Sequence, residues 1–151
     1  MGLVGKLQAE TLIVAPADKF HEMFSCRPHH ISNVCPEKIQ KVNLHEGEWG
    51  TSGYVIEWNY NIDGNDHVAK QIVEITDGEN KSITYKFIEG DLLKKYKSFI
   101  IVVQTIPKGD ATWVHWTLEY EKLNKDIPTP IKELEFLVLV GEGVDDHLVQ
   151  A

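Results

Sequence analysis

A series of hairpin-turn signals constrains the fold of this chain more than any other feature. Three short glycine-containing clusters, at 63–66, 77–80 and 108–110, each separate two runs in which apolar and polar residues alternate. Loops of this length and composition join antiparallel strands. The alternating runs are rich in β-branched and aromatic residues, and they cover 54–62, 67–76, 82–89, 97–106 and 112–121. We therefore predict five consecutive antiparallel strands.

The sequence before this meander predicts two further strands with two short helices between them. The strands are expected at about 3–14 and 39–45, where apolar and polar residues also alternate. Pro16 suits the first turn of a helix, and the apolar spacing of Phe20, Met23 and Phe24 places these three residues on one helical face. A second short helix is expected to begin at Pro28 and to end before Cys35.

One long amphipathic helix is predicted at the C-terminus. Thr129 is expected to be its N-cap and Pro130 its first residue. Its apolar positions are Leu134, Leu137, Val138, Gly141, Val144 and Leu148. Each glycine in a helix interior costs about 1 kcal/mol relative to alanine. Gly141 and Gly143 therefore need a separate reason, such as room for a ligand.

These elements give an α+β fold in which a seven-stranded curved antiparallel sheet surrounds a long C-terminal helix. The two short helices lie between strands 1 and 2. A chain of 151 residues has the length of one domain and can bury a substantial core. We therefore predict a single domain over residues 1–151.

One face of the predicted sheet is too large for the long helix to cover. Bulky apolar and aromatic residues collect on this face, whereas Glu, Asn, Thr and Lys lie on the other. Seven strands about 23 Å long and about 4.8 Å apart span roughly 750 Å². A helix of about twenty residues covers roughly 300 Å². The remaining face is either closed by sheet curvature and the short helices, or left as an apolar cavity.

The overall charge argues against nucleic acid and anionic membranes as partners. Fifteen basic and twenty-three acidic residues give a net charge of -8, which repels phosphate groups. The chain contains no apolar run of the length that a signal peptide or a membrane span requires. We expect a cytoplasmic protein.

The segment SCRPHHISNVC, residues 25–35, holds both cysteines and two adjacent histidines. Zinc sites usually pair their ligands at other spacings, and adjacent helical residues point about 100° apart. A cytoplasmic location keeps thiols reduced. We therefore expect neither a metal site nor a disulfide here, and buried thiols beside partly exposed imidazoles are the simplest interpretation. A second interpretation places His29 or His30 at the mouth of the cavity.

Two further sequence features resemble chemical sites. The segment HEGEWGTSG has glycines three residues apart, but it leads into a strand rather than a helix and lacks the Lys-Ser/Thr of a phosphate loop. We expect a tight connection between strands. Lys70 would be a candidate base or Schiff-base residue if it faced inward, although a solvated lysine is the more usual case.

The order and the sequence of these elements resemble one plant family over essentially the whole chain. The segments RPHHISNVCPEKIQKVNLHEGEWGTSG, IVEITDGENKSITYKFIEGDLLKKYKSF and WTLEYEKLN resemble the major latex protein branch of the Bet v 1 superfamily. The resemblance implies the helix-grip fold and a large cavity for hydrophobic terpenoids, steroids, alkaloids or phenolics. It also implies a carrier or storage role in defence or stress, with no cofactor, in a monomer or weak dimer.

A few members of that superfamily are enzymes, so a small cyclase or isomerase using the same cavity is the alternative. Tyr85, Tyr120, Lys70 and His30 are the polar groups that could reach the cavity for such a reaction. The resemblance and the alternation together predict a set of ligand-contacting residues: Phe20, Phe24, His30, Ile56, Trp58, Tyr60, Ile72, Ile83, Tyr85, Phe87, Val114, Trp116, Leu134, Leu137, Val138 and Gly141.

Overall fold

The computed structural model describes residues 3–76 and 81–150. Within these residues, a curved antiparallel sheet holds the long C-terminal helix against its concave face, as predicted. The elements are β1 (Val4–Ile13), α1 (Ala17–Ser25), α2 (Ile31–Val34), β2 (Ile39–Glu46), β3 (Tyr54–Ile62), β4 (Asn65–Thr76), β5 (Lys81–Gly90), β6 (Tyr96–Lys108), β7 (Ala111–Lys122) and α3 (Ile131–Gln150). The strand order is β1-β7-β6-β5-β4-β3-β2.

The hairpin turns have the backbone geometry that their residues favour. Asp63 and Gly64 join β3 to β4 with φ angles of 54° and 83°, and two positive φ angles are typical of a type I′ turn. Gly109 joins β6 to β7 at φ 65°. The turn predicted at 77–80 lies outside the described residues. The two described turns set the register of the hairpins that carry the concave face.

The predicted helices are confirmed, with one correction at the start of α3. Pro28 begins a 3₁₀ turn over Pro28–His30 that leads directly into α2. The predicted N-cap position of Thr129 and the predicted first position of Pro130 are each one residue too early, because α3 begins at Ile131. The backbone of Leu134 donates to the carbonyl of Pro130 at 3.3 Å. Pro130 therefore holds the N-cap position, and the Thr129 hydroxyl accepts a hydrogen bond from Lys122 Nζ at 3.3 Å.

Trp116 fills one end of the space between α3 and the sheet. Its side chain is 1% exposed, and its ring meets Phe20 and Phe24 edge-on at centroid distances of 6.2 and 5.9 Å. A Cβ atom on Gly141 would overlap Cζ2 of this ring and lie 2.8 Å from Cη2. Gly141 is therefore required by the packing of Trp116, which replaces the expectation that it makes room for a ligand. Gly143 shows no such requirement, since its nearest neighbours would be 4.0 Å away.

Candidate functional site

An apolar cavity remains at the other end of the concave face, beneath the first half of α3. The cavity volume is about 70 Å³, which is several times the roughly 10–15 Å³ that a single water molecule needs. The lining surface is almost entirely apolar. Its residues are Phe24, Ile39, Trp58, Tyr60, Ile62, Ala69, Gln71, Tyr85, Phe87, Leu92, Phe99, Ile101, Val103, Glu133, Phe136, Leu137 and Val140. The space between α3 and the concave face of the sheet is thus filled by Trp116 at one end and hollow at the other.

Six of the predicted ligand-contacting residues line this cavity together. Five of them are aromatic residues from α1, β3 and β5, and one is from α3: Phe24, Trp58, Tyr60, Tyr85, Phe87 and Leu137. Strand alternation brings the strand residues to one face. Whether they contact a ligand remains a prediction.

The other ten predicted residues lie outside the lining. Six are buried in the packed part of the core: Phe20, Ile56, Ile83, Val114, Trp116 and Gly141. Leu134 and Val138 are half-buried on α3 and pack against that core. Ile72 lies on the opposite face of β4 from the buried Ala69, Gln71 and Val73. His30 is half-buried in the 3₁₀ turn, with its ring edge-on to His29 at 4.4 Å.

Eleven lining residues were missed by the sequence reasoning, and most of them carried a usable signal. They are Ile39, Ile62, Ala69, Gln71, Leu92, Phe99, Ile101, Val103, Glu133, Phe136 and Val140. The alternation in β6 marks Phe99, Ile101 and Val103 as inward. On α3 the lining positions are 133, 136, 137 and 140. This stripe is rotated around the helix axis relative to the stripe of predicted ligand contacts.

The Trp58–Gln71 hydrogen bond is the main polar feature of the cavity wall. Trp58 pairs with Ala69 across β3 and β4, so Gln71 is its diagonal neighbour on the same face. The indole Nε1 of Trp58 donates to Oε1 of Gln71 at 2.8 Å. Gln71 is 4% exposed. A polar amide is therefore fixed within an otherwise apolar wall.

The hydroxyl of Tyr85 serves the packing of α1 rather than proton transfer. It donates to the carbonyl of Phe24 at 2.5 Å. Burial, followed by the influence of Tyr54, raises the pKa of Tyr85 well above its ordinary value. Tyr54 makes a similar bond to the carbonyl of Ser25 at 2.6 Å. Both phenols thus remain protonated and tie the end of α1 to the sheet.

The partly exposed part of the lining marks the entrance of the cavity. The half-buried lining residues are Ile62, Leu92, Glu133, Phe136 and Leu137, whereas the other lining residues are buried. The 3₁₀ turn at Asp91–Lys94 carries Leu92 to this point. This turn is fastened to β4, because the Asp91 carboxylate accepts a hydrogen bond from Val68 N at 3.0 Å. That bond is the main reason why the pKa of Asp91 is lowered.

One ion pair and one aromatic contact connect α3 to the β3–β4 hairpin at this entrance. Lys132, on the first turn of α3, lies 3.0 Å from the Asp63 carboxylate in the β3–β4 turn. The Tyr60 ring contacts Phe136 at 5.7 Å and stacks on His67 at 5.3 Å. The pKa of Tyr60 is raised by burial first and by Glu133 and Asp91 second. The half-buried lining residues place the opening of the cavity between the start of α3 and the 3₁₀ turn.

The comparisons with known proteins agree with this architecture. The model of the pathogenesis-related protein Bet v 1 family matches residues 2–151. The chain belongs to the Bet v 1 family. It is 48% identical over 149 residues to MLP-like protein 31 from Arabidopsis thaliana, covering 97% of this chain and 87% of that relative. This similarity places the chain in the major latex protein branch.

A solved structure supports the same assignment. Major latex-like protein 151 from Panax ginseng has a TM-score of 0.93 and 44% identity, with 97% of this chain and 98% of that chain covered. MLP-like protein 28 from Arabidopsis thaliana is 47% identical over 97% of this chain. The chain spans 44% of that relative's length. Among the described residues, no helix of this Bet v 1 family member is long and apolar enough to cross a membrane.

The cysteine- and histidine-containing segment of this family member packs against the β2–β3 connection. His29 stacks on Trp49 at 4.0 Å, and burial is the main cause of its lowered pKa. Cys26 and Cys35 are free thiols. Burial raises the pKa of Cys35 to about 11. No cluster of three potential metal ligands occurs within residues 3–76 and 81–150.

The predicted glycine connection between β2 and β3 is confirmed. Gly47, Gly50 and Gly53 all have positive φ angles, of 81°, 83° and 98°. Residues that carry a side chain rarely adopt positive φ angles, so glycine is favoured at each of these positions. The connection therefore positions Trp49 against His29 without forming a helix N-terminus.

Of the four candidate catalytic groups, Tyr85 lines the cavity and the other three do not. Lys70 is on the outer face of β4 and pairs with Glu89 at 3.4 Å. Tyr120 pairs with Gly5 of β1, and its ring lies so close to Gly5 that a Cβ atom on this glycine would overlap it. His30 and Tyr85 have the partners described above. The ionisable lining residues are Glu133 at the entrance and the buried Tyr60 and Tyr85.

Proposed function

We propose that this protein binds compact, neutral, mainly apolar molecules in the cavity beneath α3, as a cytoplasmic carrier or store without a cofactor. The observation that supports this proposal most strongly is the cavity itself, because its wall is almost entirely apolar and holds no residue of the Lys, Arg or His type. Ligand sites of this kind bind mostly through apolar burial, with a few polar groups for orientation. The identity of the bound ligand would determine how this carrier or store serves plant defence or the stress response.

The size of the cavity restricts the guests that we propose. Its volume of about 70 Å³ is well below the roughly 300–1,000 Å³ of pockets for drug-sized ligands. A cavity that binds benzene measures about 150 Å³, so one- or two-ring terpenoids and phenolics require a small outward movement of Leu92, Phe136 and Leu137 at the entrance. A steroid would require a much larger movement of the same residues.

Isothermal titration calorimetry with naphthalene tests this proposal. Naphthalene has no polar group, so its binding depends on the apolar cavity alone. We expect saturable binding of one molecule per chain, with a negative heat-capacity change from buried apolar surface. The absence of saturable binding at the solubility limit of naphthalene would overturn the proposal.

A further inference from the structure

We propose that Gln71 is the specificity-determining residue of the cavity, and that its amide N–H groups bind a hydrogen-bond-accepting oxygen on a neutral guest. This inference rests on the proposed function, since it concerns the polar recognition of a guest held in the same cavity. The expected ligand class is an apolar ring system that carries a ketone or a similar neutral carbonyl group.

The orientation of the Gln71 amide follows from the chemistry of its partner. An indole N–H can donate a hydrogen bond but cannot accept one. The atom of Gln71 that lies 2.8 Å from Trp58 Nε1 must therefore be the carbonyl oxygen. The amide nitrogen is thereby assigned to the other branch of the side chain, so its two donors remain for another acceptor.

Those donors are left without a protein partner at the cavity. Among the described residues, the Gln71 side chain forms one hydrogen bond, which its carbonyl oxygen accepts from Trp58. The amide nitrogen is not one of the side-chain atoms that lack both accessible surface and a hydrogen-bond partner. Gln71 also lines the cavity. The nitrogen therefore borders the cavity space. A buried donor without a partner costs free energy, and an acceptor on the guest removes that cost.

The surrounding residues determine which acceptor is favoured. Gln71 lies between Ile56 on β3 and Phe87 on β5, so its immediate neighbours are apolar. The charged lining residue is Glu133 at the entrance, and the net charge of the chain is -8. A carboxylate in this cavity would be desolvated without a cation and repelled by Glu133. A neutral carbonyl satisfies the donors without that repulsion.

Calorimetry with three naphthalenes of similar shape tests this inference. The ligands are 2-acetylnaphthalene, its alkyl analogue 2-isopropylnaphthalene, and the anion 2-naphthoate. The variant is Gln71→Met, which keeps the side-chain length and removes the donors. The matched control is Gln104→Met on β6, a residue that does not line the cavity.

The measured quantity is the affinity for the ketone divided by the affinity for its alkyl analogue. We expect this ratio to fall about five- to tenfold in Gln71→Met, because the ketone oxygen then lacks its donor. The ratio should be unchanged in Gln104→Met, and 2-naphthoate should bind more weakly than the ketone. An unchanged ratio in Gln71→Met, or tighter binding of 2-naphthoate, would overturn the inference.

A second measurement on the unaltered protein avoids any folding defect of Gln71→Met. In ¹⁵N-labelled protein, 2-acetylnaphthalene should shift one side-chain amide proton of Gln71 downfield, and 2-isopropylnaphthalene should not. Equal shifts with both ligands would overturn the inference while leaving the proposed function intact, since both ligands bind. Failure of both ligands to bind would instead overturn the proposed function.

Discussion

Replacing Trp116 by alanine is expected to lower the free energy of unfolding by about 3–5 kcal/mol, the usual cost of removing a buried tryptophan. The ring is 1% exposed and contacts Phe20, Phe24 and Gly141. Urea denaturation followed by circular dichroism measures this change. The matched control is Trp113→Ala on the outer face of the same strand, where the side chain is half-buried; its loss should cost about 1 kcal/mol.

The contact between Trp116 and Gly141 gives this prediction a sharper form. Gly141→Leu alone should destabilise the protein, because even a Cβ atom overlaps the Trp116 ring. In the Trp116→Ala background, the leucine should fill the vacated space and restore about 1–3 kcal/mol, which a double-mutant cycle measures. Additive effects of the two substitutions would contradict the proposed packing.

Replacing Leu137 by tryptophan is expected to weaken naphthalene binding at least tenfold, or about 1.4 kcal/mol. Leu137 lines the cavity from α3, and an indole ring at this position would occupy much of the roughly 70 Å³ available. Calorimetry on the folded variant measures the loss, and its melting temperature is recorded separately because overpacking costs about 1–3 kcal/mol.

Leu139→Trp is the matched control for this experiment. Leu139 lies on the same helix but is 50% exposed, so the same substitution leaves the cavity open. Its naphthalene affinity should equal that of the unaltered protein. Equal affinity in Leu137→Trp and Leu139→Trp would show that the ligand binds elsewhere.

The strands and turns could be predicted because their signals are local. The Asp63-Gly64 turn and the alternation in β3 each specify a conformation within a few residues. The strands predicted over 54–62 and 39–45 are observed over Tyr54–Ile62 and Ile39–Glu46. The resemblance to the Bet v 1 family supplied the remaining arrangement of sheet and helix.

The lining of the cavity was harder to predict because it depends on contacts between distant elements. In the sequence of β4, Gln71 lies between Lys70 and Ile72, and the apolar Ile72 was predicted as the ligand contact. Inward rotation of Gln71 becomes favourable when Trp58 supplies a hydrogen-bond donor, and the sequence alone does not bring the two together. The inward position of Gly141 could be predicted from helix periodicity, but the sequence does not show that Trp116 lies opposite it.

Xenon binding in crystals tests the central claim most directly, which is that the space beneath the first half of α3 is hollow and apolar. Dry apolar cavities take up xenon. Diffraction from a crystal under xenon pressure should show a xenon atom among Trp58, Phe87 and Leu137. A space filled by protein side chains, with no xenon between α3 and the sheet, would contradict the claim and the proposed function with it.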